Sequence, residues 1–485
     1  MDTSLYDFGM IGLGTMGCNL LLNMADNHFA VVGFDINRTK AEEFEASANP
    51  GTVVKGVFEL PAMVEQLKKP RKIMMLVPAG KPVDDVITNL LPLLEKDDIV
   101  IDAGNSHFTD TLNRIHFLQE KGIHFMGIGI SGGEMGARTG PSIMPGGDET
   151  AWQQVKPILE AVSAKVNGEP CVAYMGRWAA GHYVKMVHNG IEYAIMQLIS
   201  EVYDILKRGA GLNNDELHNV FKSWNKGELQ SFLLEITADI FTHMDADTDK
   251  PLVDVILDKA GAKGTGKWTS QNAMDLSVSI PTIDMAVAMR DMSIYKDERI
   301  AAAELYVNNN KKKNVDKEKL IREVHDALYF ATIISYAQGL ALLHKASSEL
   351  EMDVPLPDVV KIWRGGCIIR SALLDNFYAV YKKMPELANL LLNKKIARLV
   401  KSKEKKVRTV IRLVTAMKIP VAGLTSALSY FDAYCSRQLP TNLIQAQRDY
   451  FGAHMYQRID REGMFHNEWQ PLPVRAKKEE PEHKP

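Results

Sequence analysis

A chain of 485 residues has room for two or three domains with sizeable cores. A net charge of −3 lacks the basic excess of a nucleic-acid binder, and no run of about 18 uninterrupted apolar residues offers a membrane span. Cys18, Cys171, Cys367 and Cys435 lie far apart without metal-ligand spacing, and the N-terminus lacks a basic start with an apolar core, so a cytoplasmic protein with buried, reduced thiols is expected.

Residues 6–11 form a short apolar run and are expected to be a buried strand. The turn Gly12-Leu13-Gly14-Thr15-Met16-Gly17 follows, and 18–24 reads as a helix. Strand, glycine turn and helix N-terminus make an anion site. Gly12 permits the tight turn, Gly14 lets the backbone approach a pyrophosphate, and Gly17 lets helix and strand pack closely. The second strand, 29–34, ends at Asp35, where a carboxylate accepts hydrogen bonds from ribose hydroxyls and favours NAD. Asn37-Arg38-Thr39 comes next, and an arginine beside a hydroxyl suits a 2′-phosphate. The two signals conflict and leave the cofactor open.

Further strands are expected at 72–77, 98–102 and 124–128, short apolar runs bounded by turns, as in a parallel sheet buried on both faces. From Ala179 onward helical patterns dominate, notably 183–207 and 318–344, and near Leu439-Pro440 the character changes to a stretch rich in aromatics, Arg, His and Asn. The organisation is therefore an α/β, Rossmann-type doubly wound domain (1–178), a large all-α domain (179–437) and a tail (438–485) that closes in a charged, disordered Lys/Glu/Pro run.

Three constellations could carry chemistry. Lys185, His188, Asn189 and Glu192 fall at i, i+3, i+4 and i+7, one face of a helix, where an amine and a carboxylate can act as base and acid if a cleft desolvates them. The plain alternative is a solvated polar face. Gly190 within the stripe speaks against it, since a helical glycine costs about 1 kcal/mol unless something must come close. The run Gly129-Ile130-Ser131-Gly132-Gly133 matches the G-x-S-x-G nucleophile elbow, but 134–142 looks too rich in Gly and Pro for the helix an elbow needs. A nest holding a substrate carboxylate fits better. In Gly261-Ala262-Lys263-Gly264-Thr265-Gly266-Lys267-Trp268, Trp268 replaces the magnesium-binding hydroxyl of a P-loop, and 253–260 looks helical where a P-loop needs a strand. A loop for a smaller phosphate remains.

These motifs, with Ile101-Asp102-Ala103-Gly104-Asn105-Ser106, Gly140-Pro141-Ser142-Ile143-Met144-Pro145 and Gln445-Ala446-Gln447-Arg448-Asp449-Tyr450, make the chain resemble the decarboxylating 6-phosphogluconate dehydrogenases of the pentose phosphate pathway along nearly its whole length. The resemblance implies that Lys185 is the general base on the 3-hydroxyl and that Glu192 protonates C1 of the enediol, with no metal. It implies that Asn105, Ser131, Gly132, Gly133, His188 and Asn189 hold the sugar acid. Tyr193, Lys263, Thr265 and Arg290 would hold the phosphate, joined by Arg448 and His454 from the tail of a second subunit, so that a homodimer completes each site. Gly12, Gly14, Thr15, Met16, Gly17, Asp35, Asn37, Arg38, Thr39, Val77, Pro78, Ala79 and Asn105 would face the cofactor, NADP being the family default.

The chain departs from the family in places. Pro78 replaces a common lysine and Ile195 a common aspartate. Asp35 occupies the place of the asparagine that opens the family's Asn-Arg-Thr reader, and this keeps NAD open. A related β-hydroxyacid dehydrogenase of the 3-hydroxyisobutyrate type would share the glycine turn and the helix lysine, but lacks the Lys-Gly-Thr-Gly-Lys-Trp loop and the Arg-His tail. A dead nucleotide-sensing protein is opposed by the intact Lys185 and Glu192.

Overall fold

The computed structural model describes residues 5–306 and 315–469. Strands β1 (Phe8–Ile11), β2 (Val31–Phe34), β3 (Val54–Val57), β4 (Lys72–Met75), β5 (Ile99–Asp102), β6 (His124–Ser131) and β7 (Ser142–Gly147) build one sheet in the order β3-β2-β1-β4-β5-β6-β7. Six strands run parallel, and β7 pairs antiparallel with β6. Helices α1 (Thr15–Asp26), α2 (Arg38–Ala46), α3 (Leu60–Glu65), α4 (Lys81–Leu90) and α5 (Phe108–Gln119) make the crossovers, followed by α6 (Gly133–Thr139) and α7 (Glu149–Val162).

Alternate residues of a strand enter opposite cores. Phe8 and Met10 of β1 join one cluster and Ile11 the other, and on β5 Ile99 and Ile101 oppose Val100. Burial on both faces is why these strands read as unbroken apolar runs. Both strands of this sheet that the sequence analysis did not identify lie at its edges. β3 reads Val-Lys-Gly-Val and is mostly half-buried, and β7 carries Pro145, which an edge strand tolerates.

The sheet gives way to helices at α8 (Ala180–Asp204), followed by α9 (Asn214–Trp224), α10 (Phe232–Ile240), α11 (Leu252–Val255), α12 (Thr265–Asp275), α13 (Pro281–Ile294) and α14 (Lys296–Leu305). Then come α15 (Lys317–Glu349), α16 (Leu356–Trp363), α17 (Leu373–Tyr381), α18 (Lys394–Thr415) and α19 (Ala422–Tyr434). Helix α15 is long and apolar enough to cross a membrane by length and composition alone, yet 89% of its most apolar window is buried inside the fold. It is the central core helix of this region.

Glycines bring α8 onto the sheet. A Cβ on Gly129 would lie 2.3 Å from the Cβ of Lys185, and one on Gly181 2.2 Å from the Gly127 carbonyl oxygen. Only bare backbone lets the Lys185 stretch cross β6 so closely.

The described residues divide into two compact units between Leu428 and Ser429. In the second, α20 (Thr441–Gly452) is followed by a loop in which Tyr456 and Phe465 exchange backbone hydrogen bonds. Its order comes from one buried carboxylate. Asp449 accepts from the backbone N–H of Met455 and Asn467, Nδ1 of His466 and Nε1 of Trp469, at 2.8 to 3.0 Å. Such a polar hub leaves no apolar periodicity to read. The closing charged run beyond Trp469 lies outside the described residues.

Of the expected buried thiols, Cys171 and Cys367 are buried and Cys18 is half-buried, whereas Cys435 is exposed; none of the four is in a disulfide. That expectation is corrected for Cys435, which lies in the polar second unit rather than in a core.

Candidate active site

The polar stripe of α8 is not a solvated face. His188 is fully buried, and Lys185 and Asn189 are less than a tenth exposed; the Glu192 side chain is about a fifth exposed. Beneath them the Ser131 hydroxyl lies 3.3 Å from Nε2 of His188 and accepts from the Ile368 N–H at 3.3 Å, while Nδ1 of His188 lies 3.1 Å from the Asn189 amide oxygen.

A cleft opens above this floor. It brings together twelve of the expected residues: Met16, Asn105, Ser131, Gly132, Gly133, Lys185, Asn189, Glu192, Tyr193, Lys263, Thr265 and Arg290. Ile130, Met196 and Ile368 also line it and escaped the sequence reading. The signal for Ile368 was the glycine pair before it. Gly366 adopts φ +66°, and its carbonyl accepts from the Ser142 N–H at 2.8 Å, turning the chain under the cleft.

Burial sets the electrostatics. It pushes the Lys185 amine below its ordinary value, partly offset by the negative charge of Glu192. It pushes the Glu192 carboxyl up, against the opposing fields of Lys185 and Arg290. His188 falls well below the usual imidazole range through burial and the nearby Lys185 charge. Burial thus shifts an amine and a carboxyl, seven residues apart on one helix, each toward its neutral form, an arrangement suited to base and acid roles.

The other wall is the start of α12. Gly264 sits at φ +94° and caps the helix without a side-chain bond, leaving the first-turn N–H groups to an anion. Arg290 stacks 3.5 Å over the Tyr193 ring and donates to the Gly261 carbonyl at 3.2 Å. Gly190 owes its presence to this wall. A Cβ there would lie 2.7 Å from Cγ2 of Thr269, whose hydroxyl donates to the carbonyls of Met186 and Thr265. The close approach that Gly190 signalled is that of a helix.

Two expectations are corrected here. A helix, α6, does follow Ser131 at once, despite the glycines in its sequence. The nucleophile reading nonetheless finds little room, because Ser131 is 3% exposed and its hydroxyl is already engaged by His188 and Ile368. The stretch before the lysine loop is helical only over Leu252–Val255. Trp268 there packs edge-on against His107 at 5.0 Å.

The glycine turn, whose Met16 lines the cleft, has the expected shape. Gly12 lies at φ +93°, a Cβ on Gly17 would lie 2.0 Å from the Gly12 carbonyl oxygen, and a Cβ on Gly14 would meet nothing within 4 Å. The N-terminus of α1 has no side-chain cap and no acidic residue in its first turn, with Thr15 exposed beside it. Asp35 is buried, and its two oxygens accept from the N–H groups of Leu13 and Asn37, each at 2.9 Å. It ties the end of β2 to the turn. Asn37 caps α2 by accepting from Thr39, and Arg38 lies exposed with its guanidinium 3.9 Å over the Phe58 ring. Val77, Pro78 and Ala79 follow β4, near the switch point where β1 and β4 adjoin. Arg448 and His454 belong to the second unit and are both exposed.

Among the described residues, one group of metal-type donors, Glu228, His325 and Asp326, is assembled elsewhere, and Lys403 Nζ donates to both of its carboxylates at 2.5 and 2.9 Å. A cation of the protein's own already occupies that position.

A doubly wound sheet with a bare helix N-terminus at its switch point, open toward a buried lysine and carboxyl, defines a dinucleotide-dependent dehydrogenase. Residues 7–176 match the NAD binding domain of 6-phosphogluconate dehydrogenase, and residues 181–469 match the C-terminal domain of 6-phosphogluconate dehydrogenase. The chain belongs to the 6-phosphogluconate dehydrogenase family. It is 54% identical over 462 residues to the NADP(+)-dependent, decarboxylating 6-phosphogluconate dehydrogenase of Bacillus subtilis, spanning 95% of this chain and 98% of that one. It is 48% identical to decarboxylating 6-phosphogluconate dehydrogenase 1 of Saccharomyces cerevisiae, spanning 93% and 92%. Among solved structures it is similar to the Plasmodium falciparum 6-phosphogluconate dehydrogenase, described in apo form and in complex with NADP+ and with 6-phosphogluconate. The TM-score is 0.93 at 43% identity, covering 96% of this chain and all of that one.

Proposed function

We propose that the chain oxidises and decarboxylates 6-phosphogluconate to ribulose 5-phosphate and carbon dioxide, with NADP as electron acceptor. The observation that carries this reading is the single cleft that joins a desolvated Lys185 and Glu192 to the cationic wall of Lys263 and Arg290. An acid–base pair beside an anion wall fits a phosphorylated hydroxy acid.

When bound, the nicotinamide supplies the hydride acceptor. Lys185 Nζ takes the proton of the substrate 3-hydroxyl as hydride leaves C3, and returns it to the carbonyl oxygen as the β-keto acid loses carbon dioxide. Glu192 then protonates C1 of the enediol as Lys185 takes the enol proton back, which leaves the ketone of ribulose 5-phosphate. Ser131, Gly132, Gly133, Asn105 and Asn189 hold the carboxylate and hydroxyls, with His188 neutral beneath them. Tyr193, Lys263, Thr265 and Arg290 take the phosphate, and Arg448 and His454 of a second subunit complete it in a homodimer. Cysteines outside any disulfide support a cytoplasmic site of action.

The purified protein should reduce NADP in the presence of 6-phosphogluconate, with one carbon dioxide released for each ribulose 5-phosphate formed. Failure of both NADP and NAD to support that oxidation refutes the assignment.

A further inference from the structure

The turns after β4 and β5 leave neighbouring parallel strands side by side, a Cβ on Gly104 meeting the Val77 carbonyl oxygen at 3.2 Å. One carries Val77, Pro78 and Ala79, and the other carries Asn105, which lines the cleft. Neither turn has regular structure of its own, and Asn105 is exposed at the tip of its turn. Something else must fix their positions.

Behind them lies a buried charged cluster that the reaction does not use. Asp102, at the end of β5, is fully buried. Its Oδ1 accepts from the Gly104 N–H at 2.9 Å, and its Oδ2 accepts from the Ser106 hydroxyl at 2.6 Å. One carboxylate thus folds the turn that presents Asn105. Arg114 of α5, only 6% exposed, reaches the same place from below. Its NH1 lies 3.6 Å from Asp102 Oδ2 and donates to the Ser106 hydroxyl at 3.4 Å. Its NH2 donates to the Gly80 carbonyl at 3.1 Å, and its Nε to Asp84 at 2.7 Å. Gly80 caps α4 at φ +86° and closes the other turn.

The guanidinium therefore spans both turns with a rigid fork, a geometry that a point charge cannot reproduce. His182 also faces Asp102, with Nδ1 2.7 Å from the Thr111 hydroxyl; burial pushes this imidazole down, against the field of Asp102. A neutral ring leaves Arg114 as the cation that faces the buried carboxylate.

We infer that Arg114 is a positioning residue: it fastens the 77–80 turn to the 103–106 turn and so sets where the nicotinamide end of the cofactor meets the substrate. The inference rests on the proposed function for its readout. A displacement of about 1 Å between reacting partners lowers turnover by about 10²-fold without loss of the binding contacts made elsewhere. The phosphate wall on α12 and Arg290 is not part of the cluster, so substrate affinity should change little beyond what the Asn105 contact contributes.

The test compares Arg114→Met, Arg114→Lys and Ser106→Ala with the wild type in kcat and in KM for 6-phosphogluconate and NADP. Asp85→Asn, which breaks an exposed ion pair with Lys81 on the same helix, serves as control. Arg114→Met should lose at least about tenfold in kcat with KM for 6-phosphogluconate within about threefold, and Arg114→Lys should fall between it and the wild type. Ser106→Ala should show the same split more weakly, and it decides the matter if Arg114→Met does not fold. A kcat within twofold of wild type in Arg114→Met overturns the inference. So does a loss matched by an equal rise in substrate KM, which marks general loosening. A wild type that cannot oxidise 6-phosphogluconate would instead overturn the proposed function.

Discussion

Replacing Gly190 by alanine tests whether α12 must sit where it does. A new Cβ would lie 2.7, 2.9 and 3.0 Å from Cγ2, Oγ1 and Cβ of Thr269, all inside normal contact. Alanine improves helix propensity at an interior position by about 0.5–1 kcal/mol. Overpacking a tight contact costs about 1–3 kcal/mol. The second effect wins, and a net loss of about 1–2 kcal/mol is expected. The displacement falls on Thr269, whose hydroxyl ties Met186 of α8 to Thr265 at the head of α12. Because Thr265 and Lys263 line the phosphate side of the cleft, the weakening of one charge-assisted contact there should raise KM for 6-phosphogluconate about tenfold. Turnover should suffer less, because Lys185 is held from the opposite side by Gly129. Steady-state kinetics and denaturant unfolding read both effects. Adding Thr269→Ser removes the closest atom while keeping the hydroxyl, and should regain part of both losses. A Gly190→Ala protein with unchanged KM and raised stability would refute the coupling of α12 to the site.

Lys185→Met should abolish oxidation, and Glu192→Gln should leave substrate binding but slow turnover by about 10²-fold or more. The pH profile follows from the same pair. Activity should rise as Lys185 deprotonates below its ordinary value of 10.5, and because the Glu192 charge holds the amine up, Glu192→Gln should move that limb to lower pH; a limb that moves up contradicts the assignment. If the tail completes a partner's site, mixing inactive Lys185→Met subunits with inactive Arg448→Ala subunits should restore partial activity, and no recovery after confirmed subunit exchange would mean a site built within one chain. Asp35→Asn should raise the NADP-to-NAD ratio of kcat/KM, since a carboxylate about 4 Å from a 2′-phosphate costs on the order of 1–4 kcal/mol, and Arg38→Ala should harm NADP selectively. Equal losses with both cofactors would show that Asp35 serves only the turn, where its oxygens hold the Leu13 and Asn37 N–H groups.

Local chemistry was legible wherever it repeats at short range. The five expected strands are those buried on both faces, where an unbroken apolar run is the only solution, and the Gly12 to Gly17 turn is demanded by backbone conformation and contact. The spacing of Lys185, His188, Asn189 and Glu192 placed them on one face because α8 is a regular helix. What spacing could not give was the side on which that face falls. A polar stripe is solvated or buried according to what packs over it. Here β6 crosses beneath and the Ile368 turn closes in, its N–H reaching Ser131 from 237 residues away. Edge strands β3 and β7 carry Lys, Gly and Pro because only one neighbour pairs with them, so their composition resembles a loop. Nothing along the chain marks Asp35, Asp102 or Asp449 as buried, yet each is buried and gathers hydrogen-bond donors. A sequence displays propensity and period, which neighbours along the chain determine; the burial of a charge depends on donors brought from distant segments, and only the tertiary structure supplies them.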